Sequence, residues 1–226
     1  GIAVLVEVGV SIPLTTLNDI ATTWDNTIEP TVTNYFGSIP DIDDTCTVEL
    51  LILAIDGGGG IGGYFNPGLS SSREIIFMDS DDLSWRNTII SHEFAHLLHS
   101  ARDPGEYLWI DEGAADMASY LTFGLTNTLT GHANSWTESS NLSVRWWNQR
   151  IGDYGAGFLI MLYVVDAMGG PTAFQRLIAD TAKGAQGIVN LALNPEPSAT
   201  PIGTTFSDIF ANFSAAATLD SNQLGL

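Results

Sequence analysis

The chain has 226 residues, 45% of them hydrophobic, enough for one sizeable core. Its 26 acidic residues against seven basic ones leave a formal charge of -19, which excludes a nucleic-acid binder working by phosphate neutralisation and disfavours anionic substrates. No apolar run reaches the roughly 18 residues that span a bilayer, and Cys46, alone in the chain, cannot form an internal disulfide. The chain opens at Gly1 with neither Met nor a basic leader, so a mature or trimmed chain is expected. Acidity and the chemistry below suggest a secreted or extracellular setting, with a monomer as default.

In chain order, residues 2–10 (IAVLVEVGV) read as a strand through their β-branched content. Residues 15–27 read as a helix with Leu17, Ile20, Ala21, Trp24 and Ile28 on one stripe, stopped or kinked at Pro30 and continued over 32–36. The acidic turn at 40–44 (PDIDD) crowds Asp41, Asp43 and Asp44 into four residues and could hold Ca²⁺, although it lacks a full D-x-D-x-D-G loop. Residues 48–55 and 74–78 read as buried strands. Between them, Gly58, Gly60 and Gly63 formally match G-x-G-x-x-G. Turn-forming Asn66-Pro67-Gly68 follows rather than a helix start, so a flexible hairpin loop near the site is expected and a dinucleotide cradle is not.

Residues 88–98 read as a helix from the spacing of Ile89, Phe94, Leu97 and Leu98. It carries His92, Glu93 and His96 as H-E-x-x-H, a pattern that a shuffled chain of this composition would hold only about 0.003 times. Residues four apart on a helix lie about 40° apart around the axis and about 6 Å along it, so His92 and His96 can grip one ion. Glu93 lies about 100° further round and borders that ion, as a general base for metal-activated water should. That is zinc-peptidase chemistry, and a catalytic zinc takes three protein ligands, so a third is required.

His99 lies too far along the axis from His92 for all three histidines to meet one tetrahedral ion, and packing or hydrogen-bonding support is its expected role. The metzincin pattern fails, because positions 99 and 102 hold His and Arg. Glu112 and Asp116 are four apart on the next predicted helix, 112–123, so one carboxylate can bind zinc while the other accepts the far ring N–H of a ligating histidine.

On these residues the chain resembles the gluzincin metallopeptidases, whose zinc is held by H-E-x-x-H and a glutamate on a following helix. Trp109-Ile110-Asp111-Glu112-Gly113 is similar to the W-L-N-E-G segment of the aminopeptidase branch, and Glu112 with Asp116 to the E-x-x-x-D of the thermolysin-like branch. The resemblance implies His92, His96 and Glu112 as zinc ligands, with Asp116 supporting the first histidine. The 15 residues between His96 and Glu112 are fewer than in either branch, so the loop from 99 to 109 is trimmed. A closer likeness is to the hyicolysin-type neutral metalloproteases, through 28–32 (IEPTV), 63–65 (GYF), 74–79 (EIIFMD), His92-Glu93-Phe94 and the W-x-x-E-G segment. Residues 153–170 resemble the Y-x-x-G helix of the aminopeptidase branch, which gives Tyr154 the role of steadying the oxyanion. His132, in an Asn/Gly/Thr-rich loop, is the alternative donor.

The rest reads as helical, with Pro171 at a helix start and residues 194–201 as a Pro-rich connector. Strands in the first third and helices after it suit an α+β, zincin-like single domain over 1–226, with a mixed-sheet lobe to about residue 100 and a helical lobe beyond. Trp136, Trp146 and Trp147 could wall a cleft or fill a core. The expected activity is zinc-dependent endopeptidase cleavage of peptides or proteins, with the substrate strand added at a sheet edge beside 74–78. The alternatives are a zinc aminopeptidase and a non-catalytic metal-binding or adhesive module.

Overall fold

A computed structural model describes residues 1–57, 60–139 and 141–218, so Gly58 of the glycine pattern lies outside the described residues. The fold is α+β, with a small mixed sheet and many helices. Two compact units can be distinguished: Gly1–Gly105 with Ala114–Gly131, and Glu106–Gly113 with the chain from His132 onward.

In the first unit, strands β1 (Ile2–Val6), β2 (Val48–Leu53), β3 (Gly63–Tyr64) and β4 (Ile75–Asp79) form one sheet in the order β1-β2-β4-β3. The first two and β4 run parallel; β3 runs antiparallel to β4 through the pairs Gly63 with Met78 and Tyr64 with Phe77. β4 therefore has a neighbour on each side, which corrects the expectation of a free edge beside 74–78: the edge strand on that side is β3. All five residues of β4 are buried, whereas β2 buries Val48, Leu50 and Ile52 in alternation, as a pleated strand with one covered face should.

Helices α1 (Leu14–Thr23) and α2 (Glu29–Phe36) are joined by one π-turn, Trp24–Ile28. Pro30 thus neither stops the run nor breaks it: the wider turn just before it leaves room for a ring that has no N–H to give. Ile20, Trp24, Ile28, Val32 and Phe36 keep a spacing of four through this turn and are all at most 1% exposed. Trp24 packs on Phe94 of α3 (Arg86–Arg102), ring centroids 4.4 Å apart, so α3 lies on this stripe and on the sheet.

Helices α4 (Leu108–Phe123) and α5 (Asn127–Thr137) each contribute residues to both units. In the second unit, α6 (Ile151–Ala167) buries Phe158, Ile160, Met161 and Val164. The positive φ of Gly169 and Gly170 turns the chain into α7 (Pro171–Ala179), with Pro171 in its first turn. α8 (Ala185–Leu193) and α9 (Phe206–Thr218) add Ile188, Ile209 and Phe213 to the core. Among the described residues no single helix is long and apolar enough to cross a membrane.

Candidate metal centre

α3 buries Ile90, Phe94, Leu97 and Leu98, and that packing fixes the face on which its histidines stand. His92 Nδ1 meets Asp116 Oδ1 at 2.9 Å. Asp116 is 1% exposed and an ionised carboxylate only accepts, so Nδ1 carries the hydrogen and the lone pair of His92 sits on Nε2. That Nε2 lies 3.1 Å from Nε2 of His96. Two nitrogens each about 2.05 Å from one zinc ion and this far apart would subtend about 98° at it, close to a tetrahedral bite.

Glu112 stands one turn before Asp116 on α4, and a ligating atom from each of His92, His96 and Glu112 lies within 4.8 Å of the others. Among the described residues this is the group of three His, Cys, Asp or Glu side chains so placed. Two imidazole nitrogens and a carboxylate oxygen make a donor set that suits zinc. The residues present therefore fit a catalytic metal ion.

Glu93 is 8% exposed and lies beside the edge strand: a Cβ built on Gly63 would come within 3.4 Å of Glu93 Cγ. It would also meet Ile89 Cγ2 of α3 at 2.6 Å and Phe77 O of β4 at 2.7 Å, so only glycine lets β3 run this close to both. The glycine-rich approach to β3 thus reaches the candidate base itself.

In the second unit, a Cβ on Gly113 would lie 2.6 Å from Gly157 O, and one on Gly157 would lie 2.8 Å from Trp109 O. The Trp109-to-Gly113 segment and the helix of Tyr154 therefore cross in backbone contact. Gly155 makes a second crossing, its Cβ position 2.0 Å from His132 O. His132 sits on α5, which corrects its expected place in a loop, and its ring is 4.9 Å from that of Tyr154. The two candidate oxyanion donors are thus neighbours. Trp147 meets Tyr154 edge-on at 4.7 Å, while Trp136 packs on Phe213 in the core and Trp146 is exposed.

Asp153, next to Tyr154, anchors the start of α6. It accepts from the backbone of Asn148 at 2.9 Å and of Arg150 at 3.1 Å, and from the Arg150 guanidinium at 2.8 Å. Burial pushes its carboxyl up, but these donors outweigh burial and hold it below the usual range.

His99 is 3% exposed and meets Phe36 edge-on at 5.8 Å, in a packing role. In the acidic turn, Asp41 accepts from Cys46 N and Sγ, and Asp43 from the backbone and hydroxyl of Thr45. Asp41 is held low by the Cys46 N–H, and the Cys46 thiol is pushed up by Asp41. These bonds are turn chemistry, and among the described residues Asp41, Asp43 and Asp44 do not converge as His92, His96 and Glu112 do.

No family model matches the chain. A neutral metalloprotease of Staphylococcus hyicus, ShpI, is 26% identical over 207 residues, covering 76% of this chain and 47% of that protein. The chain spans about half the length of that relative. The similarity supports a metalloprotease relationship.

Proposed function

We propose that the chain is a zinc-dependent endopeptidase whose two units form one catalytic domain, acting on extended peptides or unfolded proteins outside the cell. The observation that carries this reading is the convergence of His92, His96 and Glu112 with Asp116 fixing the tautomer of His92. His92, His96 and Glu112 would hold the ion. When bound, zinc lowers the pKa of a coordinated water to about 7 and polarises the scissile carbonyl.

Glu93, buried beside the ligands, takes the proton of the attacking water and hands it to the departing amine. Tyr154 donates its phenol hydrogen to the carbonyl oxygen as charge builds there, with His132 adjacent. The contact of Gly113 with Gly157 supports this, since it brings the Tyr154 helix against the segment that bears Glu112. β3 pairs on one side only among the described residues, and its other edge can add a substrate strand next to Glu93.

Metal analysis of purified protein, paired with digestion of a random peptide mixture before and after chelation, tests the reading. It expects one zinc per chain and internal cleavages that vanish on chelation and return with zinc. Cleavage confined to free N-termini would instead make the chain an aminopeptidase.

A further inference from the structure

A cavity of about 150 Å³ opens where the β3–β4 ladder ends, lined by Gly60, Ile61, Gly62, Asp79, Asp81, Asp82 and Trp85. Its construction is local to the sheet edge. Gly62 O accepts from Asp79 N at 2.9 Å, and Ile89 of α3 packs against Gly62 from behind. Three carboxylates line it and no basic side chain does. The nearest arginine in sequence, Arg86, directs its guanidinium at Asp19, 2.6 Å away.

The carboxylates are not alike. Asp79 is 6% exposed and its Oδ1 accepts from Ile55 N at 3.0 Å, while its Oδ2, among the described residues, meets no donor. That oxygen keeps some solvent access, and from the cavity a cationic donor can reach it. Asp81 and Asp82 stand exposed at the rim. Two apolar side chains share the lining with them: Ile61 is 48% and Trp85 47% exposed. Carboxylates together with apolar side chains, one of them an indole, suit an aliphatic stem with a cationic head.

Resting on the peptidase reading, we propose that this cavity is a substrate subsite that takes a Lys or Arg side chain two to four residues from the cleaved bond. The spacing follows from the chain. Gly60–Gly62 lead directly into Gly63, which touches Glu93. Trp85 stands eight residues before Glu93, about 12 Å along α3, or three to four residues of extended peptide. A free amine belonging to the residue at the cleaved bond would not reach so far, so the side chain and not the terminus fits.

The test uses zinc-loaded Glu93→Gln protein, which cannot turn substrate over, with fluorescent peptides acetylated at the N-terminus and amidated at the C-terminus. Each carries Lys, Arg, norleucine or Glu at one position, and binding is read by anisotropy; cleavage by the wild-type enzyme places that position relative to the bond. Lys or Arg at one position two to four residues from the bond should bind about 5- to 10-fold more tightly than norleucine, with Glu weakest. Asp81→Asn should cut that preference to about 2-fold or less, and Trp85→Ala should lower it too. Equal binding of Lys and norleucine at every position would overturn the proposal, as would a preference untouched by both substitutions. Tighter binding of unacetylated peptides whatever their side chains would assign the cavity to a terminal ammonium instead. Because binding is measured without turnover, a wild-type protein that cleaves nothing sinks the peptidase reading while the anisotropy still judges the cavity.

Discussion

Gly113 and Gly157 are in backbone contact: a Cβ on the first would sit 2.6 Å from the carbonyl oxygen of the second. One adjoins the candidate ligand Glu112, and the other lies three residues beyond Tyr154 on α6. Two short motifs that look independent in the sequence are thus one helix crossing. Gly113→Ala forces the backbones apart and should destabilise the protein by about 1–3 kcal/mol. Zinc affinity should fall as well, because Glu112 moves with its neighbour. Gly131→Ala, on a helix with nothing within 4 Å of the new methyl, should be neutral or slightly stabilising. Thermal unfolding and a chelator competition read both effects.

Asp116→Ala removes the partner of His92 Nδ1 and frees the ring to take the wrong tautomer or turn away. Zinc affinity should drop about 10- to 100-fold, measured against a chromogenic chelator, with Asp116→Asn milder because an amide oxygen can still accept.

Gly63→Ala places a methyl 2.7 Å from Phe77 O and 2.6 Å from Ile89 Cγ2, so β3 must move away from Glu93. The expected outcome is a fall in kcat/KM of at least about 10-fold with zinc affinity within about 3-fold of wild type. Equal losses of both would show that Gly63 serves general folding and not the path of the substrate strand.

Asp153 is held below its ordinary pKa by the Asn148 and Arg150 donors, although burial acts the other way. A depressed carboxyl stabilises the fold at pH above its unfolded value of about 3.9, and this contribution is lost as pH falls through the lower folded value. The wild type should therefore lose stability from about pH 5 downward relative to Asp153→Asn. At pH 7 the substitution should cost about 1–2 kcal/mol. Denaturant midpoints at pH 7 and pH 3.5 report the difference, which should shrink at the lower pH.

The parts legible in the sequence are those with a strong period or a fixed spacing. The apolar run over 48–55 appears as β2, and the four-residue spacing of His92 and His96 appears as two Nε2 atoms 3.1 Å apart. β3 was not legible as a strand because it is two residues long, too short for alternation to register. α5 read as a loop because Asn, Thr and Gly populate it, yet Leu129 and Trp136 are buried and tertiary packing sets its conformation. At Pro30 the run continues into α2 without a stop, and the π-turn that precedes it leaves no signal in composition. The acidic cavity has no signature in the sequence, because its residues come from 60–62 and 79–85 and strand pairing brings them together.

Glu93 is the proposed general base of a zinc site held by His92, His96 and Glu112. The most direct measurement is peptide hydrolysis by Glu93→Gln with its zinc content determined on the same sample. A glutamine keeps the size of the side chain but cannot take the proton, so kcat should fall about 10²- to 10⁴-fold while zinc remains at one per chain. Hydrolysis at the wild-type rate by zinc-loaded Glu93→Gln would contradict the account.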